Sequence, residues 1–174
     1  MLTGKRILAI TGDLYEDLEL WYPKIRLEEE NAVVVVAGTS TGTIKGKHGY
    51  PAEIDVALDN VTHEGFDALL LPGGFAPDKL RRLDRVKELT RQFAYDSRLI
   101  AFICHGGWIP VSAKVINGRR ATGSLGIKDD LENAGAIWVD APLVADENFI
   151  SSRHPDDLKF FVKAMIDYLV RRSR

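Results

Sequence analysis

The chain has one cysteine in 174 residues. That excludes an intramolecular disulfide framework and sets the expectation of a reducing, cytoplasmic compartment. No segment approaches the ~20 apolar residues of a membrane-spanning helix, and the apolar stretch inside MLTGKRILAITGD is too short for the core of a signal peptide, so it reads as a first β-strand. Charge of one sign is lacking too: 23 Lys and Arg against 25 Asp and Glu leave −2, too weak a field to gather nucleic acid or anionic lipid. The basic end, Arg171-Arg172-Ser173-Arg174, is read as a helix C-terminus meeting its own dipole. There is no GxGxxG, GxxxxGK[ST], HExxH or CxxC, so nucleotide, zinc and iron–sulfur sites lack their ligand spacing, and no metal or cofactor is expected. No repeat, linker or low-complexity stretch divides the chain, which reads as one domain over residues 1–174. With 45% hydrophobic and 28% charged residues, it has enough apolar material for a packed core.

The apolar runs that remain are short and separated by helical patterns. Arg6 to Thr11, the β-branched run Val33 to Ala37, Phe66 to Leu71 and Leu99 to Ile103 read as strands buried on both faces. Helices are expected over Asp17 to Glu30, with Leu18, Trp21, Ile25 and Leu27 inward and a kink or late start at Pro23, over Asp78 to Ser97, from Trp108 to Val115, and near Ile127 to Ala134. Thr41 to Val56, with its glycines, suggests a hairpin at the sheet edge. Short strands are expected near Arg120 to Thr122, Trp138 to Asp140 and Leu143 to Ala145, with a small hairpin closed by Asn148 to Ser151. His154-Pro155-Asp156-Asp157 opens a last helix whose Leu158, Phe161, Val162, Met165, Ile166 and Leu169 form an apolar stripe. Strands alternating with helices imply an α/β fold: a doubly wound, mostly parallel sheet with helices on both faces and its ligand crevice beyond the strands' carboxyl ends.

Three places converge on that crevice: the turn after the first strand, Pro72-Gly73-Gly74, and Cys104-His105. A free cysteine behind an apolar strand is ordinarily a small buried hydrophobe. Cys104, however, stands on a strand-to-helix turn opened by Gly106 and Gly107, where the following helix end would favour a thiolate. The layout resembles a nucleophile elbow with cysteine for serine, although Phe102 stands where the serine-hydrolase pattern wants glycine. Gly73 and Gly74, with the amide after the cysteine, are candidates for an oxyanion hole, or simply for a turn that needs positive φ. Glu19 is either a buried carboxyl donating a hydrogen bond to sulfur or an ordinary acid in a first helical turn. Asp78 either orients His105 or caps the next helix. His48 and His63 are expected on the surface, and Ser151-Ser152-Arg153 at the rim of the crevice.

Whole blocks then match one family. YEDLELWYP, GTIKGKHGY, FDALLLPGGFAPD, AFICHGG, IKDDLENAGAIWVD and SSRHPDDL resemble, in order and nearly end to end, the PfpI-type cysteine peptidases of the DJ-1/PfpI superfamily, related in fold to class I glutamine amidotransferases. The resemblance implies a flavodoxin-like sandwich with Cys104 as nucleophile, Glu19 as a protonated glutamate bonded to the thiolate, and His105 as the histidine that follows the nucleophile. Asp78 falls where peptidase-type members carry a glutamate that completes the triad across a subunit boundary. Gly107-Trp108 departs from the family's usual proline and small or polar residue, and places Trp108 at the pocket mouth. The resemblance further implies a homodimer or larger homo-oligomer and an activity of peptidase, glyoxalase or deglycase type, on a peptide, a small carbonyl or a glycated adduct. The alternative is a redox or stress sensor whose Cys104 is oxidised to sulfinate in place of turnover.

Overall fold

The structure, a computed structural model, describes residues 1–172; Ser173 and Arg174 of the basic end lie outside the described residues. In chain order the elements are β1 (Arg6–Ile10), α1 (Asp17–Glu29), β2 (Val33–Gly38), β3 (Gly42–Lys45), β4 (Pro51–Ile54), β5 (Val56–Ala57), β6 (Ala68–Leu71) and α2 (Ala76–Leu80). They continue with α3 (Asp84–Tyr95), β7 (Leu99–Ile103), α4 (Trp108–Ser112), β8 (Arg120–Ala121) and α5 (Lys128–Asn133). The last are β9 (Ile137–Trp138), β10 (Val144–Asp146), β11 (Phe149–Ser152) and α6 (Leu158–Arg171).

Seven strands form one sheet in the order β10-β11-β7-β6-β1-β2-β5. All neighbours are parallel except β10 against β11. The four unbroken apolar runs become its centre because helices cover both faces, leaving no polar side for alternation to mark; every residue of β7 is fully buried. Helices α1 and α6 pack together over one face, and α3 lies against β6 and β7 on the other with α4 beside it. In an open sheet of this kind the crevice lies beyond the carboxyl ends, where connections leave β1 and β6 in opposite directions.

Several sequence expectations are corrected. Helix α1 starts at Asp17, six residues before Pro23, and runs through it. Its buried side is Glu19, Leu20, Pro23 and Leu27, while Leu18 and Ile25, expected inward, are half exposed. The expected helix from Asp78 to Ser97 is two helices, separated at Arg81 to Leu83. The β3–β4 hairpin forms a two-stranded sheet of its own, as do β8 and β9, whereas Phe149–Ser152 joins the main sheet beside β7. His63 is tucked against Phe93 and bonded to Asp96 at 2.9 Å, away from open solvent.

Candidate active site

β7 ends by presenting Cys104 on a single-turn 3-10 segment, Cys104–Gly107, that leads into α4. Cys104 has φ +58°, in the left-handed region that a β-carbon disfavours by about 1–2 kcal/mol. Such a conformation persists only where the surroundings impose it, and here the buried strand on one side and α4 on the other hold the elbow up. The thiol lies 3.1 Å from Nδ1 of His105.

Glu19 reaches the same place from the other side of the β1–β6 switch. It sits in the first turn of α1, whose N-cap is Glu16, and is fully buried. Its Oε2 accepts the Gly73 N–H at 2.8 Å. Its Oε1 has no bonded partner, and the Cys104 thiol is the polar group the carboxyl lies against. Burial, with the Glu16 carboxylate adding to it, raises Glu19 to about 8, so the carboxyl is neutral at pH 7 and has a proton to donate.

Gly73 is what lets these two groups meet. A β-carbon there would stand 2.6 Å from Glu19 Oε2, 2.9 Å from the Cys104 β-carbon and 3.0 Å from the His105 nitrogen. Gly74 serves differently: its φ of +83° bends the chain back so that it bridges Tyr15. Of the three amides expected at the oxyanion hole, only that of Gly73 is engaged elsewhere. Gly73 spends its N–H on Glu19, and the amides of Gly74 and His105 are the ones that face the sulfur.

The expectation of a resting thiolate is also corrected. Burial pushes the thiol up to about 12, an ionised Glu19 pushes the same way, and the His105 and Gly74 amides and Lys47 oppose them. A protonated Glu19 removes the second of those causes, but desolvation remains. Burial, and secondarily Lys47, lower the His105 imidazole below its ordinary value. At neutral pH the resting site therefore holds a thiol, a neutral imidazole and a neutral carboxylic acid.

Asp78 is not brought to His105. It lies in the first turn of α2, half exposed, and pairs at 2.6 Å with Arg82, just past the end of that helix; the N-cap position belongs to Phe75. Trp108 begins α4 with its ring edge-to-face on His105, centroids 5.0 Å apart. Ser151 and Ser152 are buried structural groups: Ser151 Oγ accepts the Thr122 amide and Ser152 Oγ donates to the Pro142 carbonyl. Arg153 pairs with Asp157 and Asp140.

The residue that sequence reading missed is Lys47. The turn of the β3–β4 hairpin is tied to α1 by its own amides, Lys47 N–H to the Tyr15 carbonyl at 2.8 Å and the His48 and Tyr50 N–H groups to Asp17 at 3.0 and 2.9 Å. That brings Lys47 Nζ to 3.2 Å from the buried Glu16 carboxylate and makes it a cation felt by Glu19, Cys104 and His105 alike. Possible metal ligands on Glu16, Asp17 and His48 also lie within 4.8 Å of one another. Asp17 is already engaged by backbone amides and Glu16 faces the lysine, so the chain supplies its own cation there. Among the described residues, no helix is long and apolar enough to cross a membrane.

The DJ-1/PfpI family profile matches residues 5–168. A deglycase of Thermococcus kodakarensis is 44% identical over 164 residues, covering 94% of this chain and 99% of that protein. Deglycase PfpI of Pyrococcus furiosus is 42% identical over the same length and shares. A solved two-domain protein of Anabaena variabilis, with DJ-1/ThiJ/PfpI-like and ferritin-like domains, aligns with a TM-score of 0.93 at 34% identity. That alignment covers 95% of this chain and 48% of the other, so this chain spans about half of the two-domain protein.

Proposed function

Because the chain belongs to the DJ-1/PfpI family, we propose that it is a cysteine-nucleophile enzyme acting on reactive carbonyls and their adducts, of the deglycase type named for its relatives. The observation that carries the reading is the elbow itself: Cys104 at positive φ, His105 Nδ1 at 3.1 Å, and a buried carboxyl on the thiol's other side.

The chemistry follows from the resting protonation states. The sulfur adds to the aldehyde carbon as its proton passes to His105 Nδ1, so a thiolate exists only when an electrophile is present. Charge that develops on the carbonyl oxygen is met by the amides of Gly74 and His105. The hemithioacetal oxygen then takes up a proton. A base removes the hydrogen from the same carbon, and protonation of the neighbouring carbon leaves a thioester. Water cleaves that ester, giving a hydroxy acid and the thiol. In a glycated amine or thiol that carbon is already tetrahedral, so the step is a substitution: its bond to nitrogen or sulfur breaks as the bond to Cys104 forms, the proton taken up by His105 passes to the departing amine or thiol, and the same hemithioacetal results. Glu19 stays protonated and donates to the sulfur whenever it bears charge.

The sensor reading is the weaker one, since oxidation to sulfinate proceeds from the thiolate and burial holds this thiol near 12. A peptidase reading would need an acid for His105. In this chain Asp78 is engaged with Arg82, so a partner subunit would have to supply one.

We also assign the chain to a homo-oligomer within a reducing, cytoplasmic compartment. For the oligomer the support is the stripe Leu18, Tyr22 and Ile25 on the outer side of α1, each more than a third exposed, at the i, i+4, i+7 spacing that lets a helix pack on a copy of itself; for the compartment it is the single, free cysteine.

Initial rates on methylglyoxal, on a methylglyoxal-treated thiol or amine, and on a fluorogenic peptide test the proposal, with Cys104→Ala as control. Turnover of the first two that Cys104→Ala abolishes is the expected result. Equal rates in the control refute it. Stoichiometric oxidation at Cys104 by mild peroxide, seen in intact mass with no turnover of any of the three, would favour the sensor.

A further inference from the structure

A histidine that takes a proton from sulfur has to keep one ring nitrogen aimed at it. In a relay a carboxylate bonded to the other nitrogen does this. Among the described residues no carboxylate pairs with the His105 ring, and the ring's one hydrogen bond is to the thiol it serves. Rotation by half a turn about its second side-chain torsion would replace Nδ1 with a carbon and end that contact.

The ring is confined by its neighbours. On one side stands Trp108, in edge-to-face contact at 5.0 Å and 71°, a geometry favoured by the ring quadrupoles. Gly126 faces Nε2 on another side, where a β-carbon would stand in ordinary contact at 3.4 Å, so the tryptophan is the nearer constraint. Trp108 is itself fixed: its indole N–H donates to Asp130 at 2.6 Å, and the Arg81 guanidinium lies 5.1 Å over its ring. Arg81 in turn donates to Ser112 Oγ at 2.8 Å. Gly126, in the turn that leads into α5, and Asp130, in the first turn of α5, lie four residues apart, so the region beside the histidine also supplies the side chain that anchors the tryptophan.

We propose that Trp108, held by Asp130 and Arg81, is the positioning residue for His105, and does with ring contact what a paired acid does in a relay. The proposal rests on His105 being the base for Cys104. It assigns Asp130 and Arg81 a part in catalysis although neither touches the thiol.

The test compares Trp108→Ala and Asp130→Ala with the parent chain. The first removes the ring and the second leaves it present but unanchored. Thermal unfolding identifies which variants are folded, and Asp130→Ala decides the question if Trp108→Ala does not fold. Two readouts are taken: kcat and KM on methylglyoxal, and the 15N signals of ring-labelled histidine. The expected result is a kcat about tenfold or more lower, within the range of general-base effects, a KM within about twofold, and His105 ring signals shifted toward those of a free imidazole. A folded variant whose ring signals are unmoved overturns the proposal even if kcat falls, because Trp108 would then act on substrate. If the parent turns over none of the three substrates while the ring signals still shift in the variants, the functional reading fails and the positioning role stands.

Discussion

Replacing Glu19 by glutamine should make the protein more stable at neutral pH. The carboxyl is fully buried and raised from 4.5 to about 8, chiefly by desolvation. In the unfolded chain it loses its proton near 4.5; in the folded one it keeps the proton until about 8. The folded state therefore binds more protons throughout that window, and stability falls as pH rises. At ~1.36 kcal/mol for each tenfold change in proton affinity, the loss relative to acidic solution is about 1 kcal/mol at pH 5, about 3 at pH 7 and about 5 above pH 9. It is fully absent below about pH 4, where both states are protonated. Glutamine reproduces the protonated acid: its oxygen accepts from Gly73 and its amide donates to sulfur, with nothing to titrate. Urea unfolding of both chains at pH 5, 7 and 9 measures the difference directly, provided the slopes agree. The glutamine chain should gain on the parent by about 2–3 kcal/mol from pH 5 to pH 7 and by only about 1 more to pH 9, since the folded carboxyl itself ionises above about 8. Parallel stability curves would show that Glu19 is ionised in the folded protein, and its role as hydrogen-bond donor to the thiol would fall with it.

Gly73→Ala should cost about 1–3 kcal/mol of stability, as overpacking does, and most of the activity, because the added methyl meets Glu19 and Cys104 below 3 Å; an unchanged melting temperature would contradict the close approach. Leu18→Asp with Ile25→Asp should shift the protein to a smaller species in sedimentation velocity, leaving the monomer fold intact by circular dichroism; an unchanged sedimentation coefficient removes α1 from the interface. Asp78→Ala should leave turnover of methylglyoxal within about twofold, since its carboxylate is exposed and spent on Arg82; a large drop would show that Asp78 acts in the site from another subunit.

The sheet was legible because its central strands are unbroken apolar runs, which a sheet covered on both faces requires. Helix α1 was misread for a reason that belongs to the site. Its start buries Glu16, Asp17 and Glu19 and turns Leu18 outward, with Ile25 two turns further on exposed as well, the reverse of an ordinary amphipathic helix. Local rules are broken where function uses the residues. The neighbourhood of Cys104 and His105 could be proposed from sequence because a strand-to-helix elbow is local. Lys47 and the Asp130 anchor of Trp108 could not be, since each depends on contacts across 31 and 22 positions, Lys47 to Glu16 and Trp108 to Asp130. Asp78 was considered for the histidine because it follows the Gly73-Gly74 loop closely, and by resemblance across a subunit boundary; within one chain it turns to Arg82, in the break between α2 and α3.

Glu19 and Cys104 stand on opposite sides of the β1–β6 switch and 85 positions apart in the chain. At about 5–20 residues per second of synthesis, the glutamate leaves the ribosome roughly 4–17 seconds before the cysteine. In that interval α1 has neither β7 nor the elbow to bury its carboxyl against, and the acid stays ionised and solvated. Cys104 thus emerges into a chain that already holds Glu19 in its ionised form, and the burial that shifts both groups needs β7 seated beside β6. A growing chain carries no half-built version of this site, so nascent proteins nearby meet an ordinary thiol until the fold closes.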